Sequence, residues 1–223
     1  MGHFFDAGAS TFAGNLDDAI AQGRFHRGRL FVDAARRRVI PGGRVLDYGC
    51  GPGRVAKLLG VAGFEVDAVD PSPAMLVEAQ KQDISGLRVT FRHYDGTGDA
   101  LDSAAYDGIV CSSVIEYVSD PIALIANFRR ALKIGGILVI SYANKLSLVR
   151  AYSVLRYGRR MPHLQVQYNV WRFRDVQRAL LAGGFPTVSA PVFFEASPFD
   201  KRPKLNFLSS LGCVGQLGLV TAR

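Results

Sequence analysis

The sequence has little cysteine, and its three cysteines form no CxxC pair. Cys50 and Cys111 lie inside apolar, strand-like stretches, and Cys213 lies near the carboxyl terminus. Disulfide frameworks and thiolate metal sites are recognised by repeated, closely spaced cysteines. We therefore expect neither a disulfide framework nor a bound metal.

Long hydrophobic runs are also missing. No segment supplies the ~18 uninterrupted apolar residues that a membrane span needs. The opening run Met-Gly-His-Phe-Phe-Asp has no basic stretch followed by an apolar run, as a secretory signal would. No internal repeat and no low-complexity tract is visible. These absences predict a cytoplasmic protein without a transmembrane segment.

The composition is that of a globular protein. The chain has 223 residues, of which 48% are hydrophobic and 21% charged. That length suits one domain with a full core and is too short for two domains of ~150 residues each. A net charge of +8 favours anionic partners such as nucleic acid, phospholipid headgroups or acidic metabolites. We interpret the basic stretches 24–44 and 145–178 as solvated helix faces rather than a nucleic-acid surface.

From residue 44 onward, short β-branched runs alternate with helical patterns. This alternation is typical of a parallel sheet with crossover helices, here a Rossmann-like, doubly wound α/β sheet of about seven mostly parallel strands with helices on both faces. The predicted strands are 45–47, 65–69, 88–93, 108–112, 136–142, 187–194 and 218–222.

Four helices are predicted between these strands. Ser72-Pro73 and Asp120-Pro121 each place a capping side chain before a proline at the first helical position. The predicted helices are 53–60, 73–81, 121–132 and 174–182.

The remaining segments decorate this domain. Residues 1–43 have helical periodicity and are predicted to form an N-terminal helical cap on a cofactor-binding domain of residues 44–223. Residues 144–171 and 195–213 interrupt the alternation, after the fifth and sixth strands. Ligands of open α/β sheets bind outside the carboxyl ends of the strands, so insertions there are natural lids.

The stretch from Val45 to Gly53 reads Val-Leu-Asp-Tyr-Gly-Cys-Gly-Pro-Gly and leads directly into a helical pattern. A dinucleotide fingerprint would place a third glycine at position 54, where Arg54 stands, and would use amides that Pro52 lacks. Asp47 would also repel a pyrophosphate and favour a cation. S-adenosylmethionine carries a sulfonium and an ammonium group and no phosphate, so it suits this charge pattern better.

Acidic residues follow the next two strands. Asp70, at the end of the second strand, can accept hydrogen bonds from both hydroxyls of a ribose, as dehydrogenases also require. Asp95-Gly96 follows the third strand and can reach an adenine amino group, although this pair is also an ordinary turn.

These motifs together resemble the class I methyltransferase family, especially the small-molecule branch that includes ubiquinone-biosynthesis enzymes. The resemblance covers roughly residues 40–142. Three departures stand out: Tyr117 where the family usually has histidine, Ile134 where it has proline, and a glycine after Asp95. The matching segments are residues 45–53, Asp70-Pro71-Ser72, 106–111, 114–121 and 131–136.

The resemblance implies a set of cofactor contacts. The glycines of the turn would contact the methionine part through their backbone, Asp70 would hold the ribose and Asp95 the adenine. Ser112 would approach the methionine through its backbone, and Arg29 would bind the cofactor carboxylate. The predicted cofactor-binding residues are Arg29, Asp47, Gly49, Cys50, Gly51, Gly53, Asp70, Pro71, Asp95, Gly96 and Ser112.

Methyl transfer from a sulfonium is an in-line displacement, for which alignment in a water-poor pocket supplies much of the catalysis. No nucleophile or metal is required, and we assign no catalytic residue. A hydroxyl acceptor would use a base, although each histidine also has an ordinary structural or surface role. The candidate bases are His163, His93, His26 and Tyr117.

Three further residues have two possible roles each. Glu116 either orients the cofactor or begins a helix. Tyr142 and Asn144 either border the acceptor site or end the fifth strand.

Residues 145–160 form a basic amphipathic segment. Leu148, Val149, Tyr152 and Leu155 fall on one helical face, and four arginines add positive charge. Such a segment can lie on an anionic membrane or cover a lipid-like acceptor. We favour the alternative, a cap helix packed on its own domain. The arginines are Arg150, Arg156, Arg159 and Arg160.

The sequence therefore predicts an S-adenosylmethionine-dependent methyltransferase acting on a small-molecule or lipid-like acceptor. A nucleic-acid methyltransferase is the first alternative, but the Asn-Pro-Pro-aromatic run used on adenine amino groups is absent, and Ser112-Ser113-Val114 stands after the fourth strand. A non-catalytic cofactor-binding subunit on the same fold is the second. An oxidoreductase is opposed by Asp47, Pro52 and Arg54. The sequence does not indicate the oligomeric state.

Overall fold

A computed structural model describes residues 5–21, 26–94, 96, 101–157, 167–194, 212 and 215–223. Asp95 and His163, both named above, lie outside these ranges, and so does the side chain of His26. Within them no helix is long and apolar enough to cross a bilayer.

Helices and strands alternate through most of the chain. The helices are α1 (Ala9–Ala21), α2 (His26–Arg36), α3 (Arg54–Val61), α4 (Pro73–Gln80), α5 (Pro121–Ala131), α6 (Leu148–Tyr157) and α7 (Phe173–Ala182), with a 3-10 helix at Ile115–Tyr117. The strands are β1 (Arg44–Tyr48), β2 (Glu65–Asp70), β3 (Val89–His93), β4 (Tyr106–Cys111), β5 (Leu132–Ala143), β6 (Val192–Phe194) and β7 (Leu217–Ala222).

The strands form one seven-stranded sheet in the order β3-β2-β1-β4-β5-β7-β6. β1 pairs in parallel with β2 and β4, and β2 pairs in parallel with β3, whereas β6 and β7 pair antiparallel. The predicted mostly parallel, seven-stranded sheet is confirmed. Because β1 lies between β2 and β4, the direction of winding reverses there, which is where open α/β sheets place their ligand crevice.

The chain divides into two compact units. The first comprises Met1–Ser112 with Asn127–Val139, and the second comprises Ser113–Ala126 with Ile140–Arg223. The division into a helical cap and one cofactor-binding domain remains a prediction.

The first unit has an apolar core formed by both faces of its central strands. Val45 and Leu46 are fully buried, as are Ala68 and Ile109, so successive residues of a strand are apolar rather than alternating with polar ones. Strands that are covered on both faces have this pattern. At the edge strand β3, by contrast, Arg92 and His93 are exposed.

Two of the predicted helix starts are capped as expected. The hydroxyl of Ser72 accepts a hydrogen bond from the Met75 amide at 3.1 Å, and the carboxylate of Asp120 accepts one from the Ala123 amide at 2.9 Å. Each cap satisfies an amide that the first helical turn leaves without a partner.

Three strand bounds differ from the sequence prediction by two residues or more. β4 begins two residues earlier than predicted, and β5 already begins at Leu132, the last residue of the predicted helix 121–132. Only Val192–Phe194 of the predicted strand 187–194 is regular, although Val188 forms an isolated bridge with Ala222. Pro191 lies between the Val188 bridge and β6. Because proline has no amide hydrogen to donate to a neighbouring strand, it interrupts the regular pairing.

Helix α6, in the second unit, points its apolar side chains outward. Leu148, Tyr152 and Leu155 are 67%, 58% and 88% exposed, whereas Ser153 is buried. Periodicity correctly places Leu148, Tyr152 and Leu155 on one exposed face, whereas Val149, the fourth residue of the predicted apolar face, is half-buried. A cap helix packed by that face on its own domain is not what the described residues form, because the polar face is the covered one.

Candidate functional site

The turn after β1 is built from glycines in a left-handed conformation. Gly49, Gly51 and Gly53 have φ angles of 74°, 52° and 76°. Residues with a Cβ rarely adopt these angles, whereas glycine does so at little cost. The alternation of glycine along this stretch therefore reflects the backbone geometry of a sharp strand-to-helix turn.

The backbone amides of the turn all donate hydrogen bonds within the protein. The amides of Gly49 and Cys50 both donate to the carbonyl oxygen of Val69, at 2.8 and 3.0 Å, and that of Gly53 donates to Cys50 at 3.0 Å. The Gly51 amide donates to Asp70 Oδ2 at 2.8 Å. Pro52 has no amide hydrogen, so residues 49–53 have no spare donors of the kind that hold a phosphate at a helix start.

Two glycines of the turn differ in what surrounds them. A Cβ on Gly53 would lie 2.8 Å from the ring of Phe91, so packing and φ both require glycine there. A Cβ on Gly51 would meet no heavy atom within 4 Å. The turn therefore packs tightly at Gly53 and leaves room for a ligand at Gly51.

Asp47 is a buried carboxylate beside this turn. Its side chain is 1% exposed, and its Oδ2 atom has no hydrogen-bond partner among the described residues. Burial, reinforced by the charge of Asp70, raises the pKa of Asp47 to about 7, against a hydrogen bond from the Ala56 amide that lowers it. A buried carboxylate oxygen in this state favours a cationic or hydrogen-bond-donating ligand.

Asp70, at the end of β2, connects the glycine turn after β1 with the loop that follows β2. Its Oδ2 accepts from Gly51 at 2.8 Å and its Oδ1 from Ser72 at 2.9 Å. Burial is the main cause that raises the pKa of Asp70, and these two amides oppose it. Each carboxylate oxygen can accept a second hydrogen bond, so Asp70 keeps the capacity to bind a ribose.

Helix α1 is tied to the turn through Arg54, the first residue of α3. The Arg54 guanidinium is 7% exposed, forms an ion pair with Asp17 of α1 and donates to the Pro52 carbonyl oxygen at 2.8 Å. Ahead of α1, Asp6 accepts from the Ser72 hydroxyl at 2.6 Å. The N-terminal segment is thus anchored beside both Gly53 and Asp70.

The other predicted cofactor residues differ in their burial and in their contacts. Cys50 is buried, which raises the pKa of its thiol and keeps it protonated. Gly96 approaches the Tyr48 hydroxyl, 3.5 Å from where its Cβ would be. Ser112 follows β4 directly and is half-buried. Arg29 is exposed on α2 and forms no described hydrogen bond or ion pair with the turn.

Among the candidate bases, His93 is exposed at the end of β3. Its Nε2 lies 3.2 Å from the carbonyl oxygen of Pro71, another predicted cofactor residue. The predicted roles of all these residues remain predictions.

The second unit contains a separate polar cluster around the 3-10 helix, which we call the 116–167 cluster. It consists of Glu116, Tyr117, Arg150 and Gln167. The Gln167 carbonyl oxygen accepts from the Arg150 guanidinium, and its amide donates to the Tyr117 hydroxyl at 3.2 Å. Glu116 is 1% exposed and attracts the charge of Arg150.

Backbone contacts hold this cluster together. The Glu116 carbonyl oxygen accepts from the amides of Tyr168 and Asn169 at 2.7 and 3.1 Å. The Asn169 side chain donates to Val118 at 2.9 Å. Residues 167–169 therefore fix the 3-10 helix on which Glu116 and Tyr117 lie.

Tyr142 and Asn144, on either side of the last residue of β5, differ in their hydrogen bonds. The Asn144 amide donates to Gly212 at 2.7 Å and Gly215 at 2.9 Å, so this side chain closes a loop. Tyr142 is fully buried and its hydroxyl has no partner among the described residues. Burial also raises the pKa of Tyr142.

Sequence reasoning missed Asp6, Asp17 and Gln167, and interpreted Arg150 as surface charge. The partners of these residues lie 17 to 66 residues away along the chain. No local motif marks such pairs. In the described residues no group of three or more histidine, cysteine or acidic side chains can hold a metal ion.

Comparisons with known proteins agree with this geometry. Residues 22–190 match the profile of a methyltransferase domain family. A ubiquinone biosynthesis O-methyltransferase of Xanthomonas campestris is 32% identical over 123 residues, which are 54% of this chain and 52% of the relative. This chain thus spans about half the length of the curated relatives it matches.

Solved structures share the fold at low identity. A SAM-dependent methyltransferase of Thermotoga maritima, described as a possible histamine N-methyltransferase, superposes with a TM-score of 0.70 at 18% identity, covering 100% of this chain and 99% of that one. Phosphoethanolamine N-methyltransferase 2 of Haemonchus contortus, in complex with S-adenosyl-L-methionine, gives a TM-score of 0.62 at 18% identity over 90% of this chain and 52% of that one.

Proposed function

Because this chain belongs to the class I S-adenosylmethionine-dependent methyltransferase family, we propose that it transfers a methyl group from S-adenosylmethionine to a small-molecule or lipid-like acceptor. One observation carries the proposal. The turn after β1 has no spare amide for a phosphate, while Asp47 presents a buried carboxylate oxygen without a partner. This arrangement fits a cationic nucleoside and not a diphosphate chain.

Each part of the site has a definite task in this proposal. Asp47 attracts the positive charge of the cofactor, and Asp70 accepts hydrogen bonds from the ribose hydroxyls. The open space at Gly51 admits the cofactor close to the backbone. Arg29, Cys50, Pro71, Gly96 and Ser112 are the remaining described candidates, and Asp95 lies outside the described residues.

When bound, the cofactor supplies an electrophilic methyl group on a good leaving group. The protein has to align the acceptor oxygen or nitrogen with the carbon–sulfur bond and to keep water out. An acceptor hydroxyl must lose its proton as the new bond forms, and an acceptor ammonium must lose a proton before its nitrogen can attack. Tyr117 is the candidate base whose position is described within the 116–167 cluster.

Calorimetry with S-adenosylmethionine, S-adenosylhomocysteine and NAD tests the cofactor. We expect binding of the first two and none of NAD. Asp47→Asn should weaken binding of S-adenosylmethionine more than binding of S-adenosylhomocysteine, because only the first carries a sulfonium charge. Binding of NAD alone would overturn the proposal.

The acceptor class is tested with cell extract and cofactor labelled in its methyl group. The ubiquinone-biosynthesis relatives, which share about half their length with this chain, support label in small organic molecules. Label in RNA or DNA would favour the nucleic-acid alternative. Cofactor binding without transfer to any fraction would favour a non-catalytic subunit.

The outward apolar face of α6 supports the lipid-like end of the acceptor range. Leu148, Tyr152 and Leu155 are exposed there, and Lys145 and Arg156 add exposed positive charge beside them. Apolar residues flanked by cations suit the surface of an anionic membrane. The cytoplasmic location predicted from the sequence remains part of this proposal.

Vesicle sedimentation tests this surface. Phosphatidylglycerol vesicles should retain the protein more than phosphatidylcholine vesicles, and Leu148→Ser with Leu155→Ser should abolish the difference. Leu181→Ser, at an exposed leucine of α7, is the matched control. Equal retention by both kinds of vesicle would argue against membrane contact.

A further inference from the structure

Asp6 precedes α1 along the chain and contacts the start of α4. Its Oδ1 atom accepts hydrogen bonds from the Ser72 hydroxyl at 2.6 Å and from the Ala74 amide at 3.3 Å. These partners lie 66 and 68 positions further along the chain. Both follow Asp70 closely, so the two contacts bring the N-terminal segment to the proposed ribose site.

The Ser72 hydroxyl depends on Asp6 for its orientation. It accepts a hydrogen bond from the Met75 amide at 3.1 Å and donates its single hydrogen to Asp6. Because Ser72 is fully buried, removal of Asp6 leaves this hydrogen without its acceptor, which costs free energy and favours a rearrangement of Ser72. The position of Ser72 is therefore coupled to the presence of Asp6.

The backbone of Ser72 carries this constraint to Asp70. Its amide donates to Asp70 Oδ1 at 2.9 Å, and the Gly51 amide donates to Oδ2 at 2.8 Å. Burial is the main cause that raises the pKa of Asp70, these two amides oppose it, and the charge of Asp6 adds to the rise. One line of hydrogen bonds within the first unit therefore runs from Asp6 through Ser72 to Asp70.

We propose that Asp6 is a positioning residue for the cofactor, and that through Ser72 it holds the Asp70 carboxylate in the orientation that binds the ribose hydroxyls. The inference rests on the proposed function and deepens it, since it adds a residue of the N-terminal segment to the cofactor site. The physical reason is preorganisation. A ligand that meets a carboxylate already fixed in place does not have to offset the entropy of ordering that side chain.

Binding of S-adenosylhomocysteine and of its dideoxyribose analogue to the full chain tests the inference by calorimetry. The analogue lacks only the two hydroxyls that Asp70 is proposed to bind. We expect the wild type to bind S-adenosylhomocysteine roughly 10- to 100-fold more tightly than the analogue, because hydrogen bonds to a carboxylate are strong. Asp6→Ala should reduce this ratio by about 3- to 10-fold, the effect of ordering one side chain, and should change the affinity for the analogue little.

Three further variants separate positioning from a general structural role. Asp6→Asn keeps an oxygen that accepts hydrogen bonds, so it should retain most of the wild-type ratio. Asp18→Ala, at an exposed acidic residue of α1, is the matched control and should retain all of it. Adding Asp6→Ala to Asp70→Ala should leave the ratio of the single variant unchanged, because Asp6 acts through Asp70. Thermal unfolding of every variant shows which of them are folded.

Hydrogen exchange on the wild type gives a second measurement that does not depend on the folding of a variant. Coupling between two sites is reciprocal, so occupation of Asp70 by ribose hydroxyls should stabilise the contacts of Asp6. Saturating S-adenosylhomocysteine should therefore slow exchange of the Ala74 amide, which donates to Asp6, more than saturating dideoxyribose analogue does. Equal protection by both ligands would contradict the inference.

Failure of the inference and failure of the function have different signatures. A ratio that survives Asp6→Ala, or equal losses of affinity for both ligands, overturns the role of Asp6 and leaves the proposed function intact. A wild type that binds both ligands equally overturns the role of Asp70 and with it that of Asp6, while methyl transfer from S-adenosylmethionine can still be observed. A chain that binds neither ligand contradicts the function and the inference together.

Discussion

Asp17 of α1 and Arg54 at the start of α3 form an ion pair across 37 positions of the sequence. The Arg54 Nε atom donates to Asp17 Oδ1 at 2.6 Å. Because Arg54 also donates to Pro52, the N-terminal helix and the glycine turn share one buried guanidinium. Order in α1 and in the turn should therefore be coupled.

Asp17→Asn should destabilise the protein by about 1–3 kcal/mol, because it leaves a buried guanidinium without its anion. Urea unfolding gives the free energy, and hydrogen exchange should show faster exchange in α1. Asp18→Asn, at an exposed neighbour on the same helix, should change neither. If Asp17→Asn is as costly when combined with Arg54→Met as alone, the two residues do not act as a pair.

Two glycine substitutions separate packing from ligand space. Gly53→Ala should destabilise the fold by roughly 2 kcal/mol or more, because the new methyl meets Phe91 and the residue must keep a positive φ. Gly51→Ala meets no atom, so it should cost only its strain of about 1 kcal/mol and mainly weaken binding of S-adenosylmethionine. Thermal unfolding and calorimetry measure the two effects. Equal losses of stability would show that the space at Gly51 is not open.

The buried Asp47 should make stability depend on pH. Its pKa of about 7 in the folded protein exceeds the ordinary 3.8, so between about pH 4 and 7 the folded state holds a proton that the unfolded state has lost. The free energy of unfolding should therefore fall as pH rises through this window, by up to about 4 kcal/mol. Above pH 7 this contribution stays constant.

Asp47→Asn removes this titration and is the direct comparison. Urea unfolding at pH 5 and pH 8 should give a smaller difference between the two pH values for the variant than for the wild type. Asp70, whose pKa is also raised, remains in both proteins, so only the part of its titration that depends on Asp47 enters the difference. A wild type whose stability rises from pH 5 to pH 8 more than that of the variant would contradict the assignment.

Two buried tyrosines should respond in opposite ways to loss of the hydroxyl. Tyr142→Phe should leave the free energy of unfolding unchanged or raise it by about 1 kcal/mol, because its buried hydroxyl has no described partner. Tyr106→Phe should lower it by about 1–2 kcal/mol, because the Tyr106 hydroxyl donates to Asp67 at 3.0 Å. Urea unfolding measures both. A large loss for Tyr142→Phe would mean that its hydroxyl has a partner.

Several features of the fold follow from local signals that the sequence shows openly. Ser72 and Asp120 mark helix starts, because a side-chain cap acts within three residues of its own position. The glycines from Gly49 to Gly53 indicate a left-handed turn, because no other residue adopts those angles readily. Asp47 and Asp70 stand next to that turn as expected, since Asp47 lies one residue before the end of β1 and Asp70 ends β2, and the two strands pair in the same sheet.

The sequence by itself determined the alternation of strands and helices, the position of the glycine turn and the family, because all of these depend on neighbours within a few residues. Only the tertiary structure decided that the apolar face of α6 points outward and that Arg150 is half-buried. Helical periodicity groups residues on a face without saying which face is covered. The pairing of Asp17 with Arg54 and of Arg150 with Gln167 likewise depends on how distant segments pack, and no spacing in the chain records it.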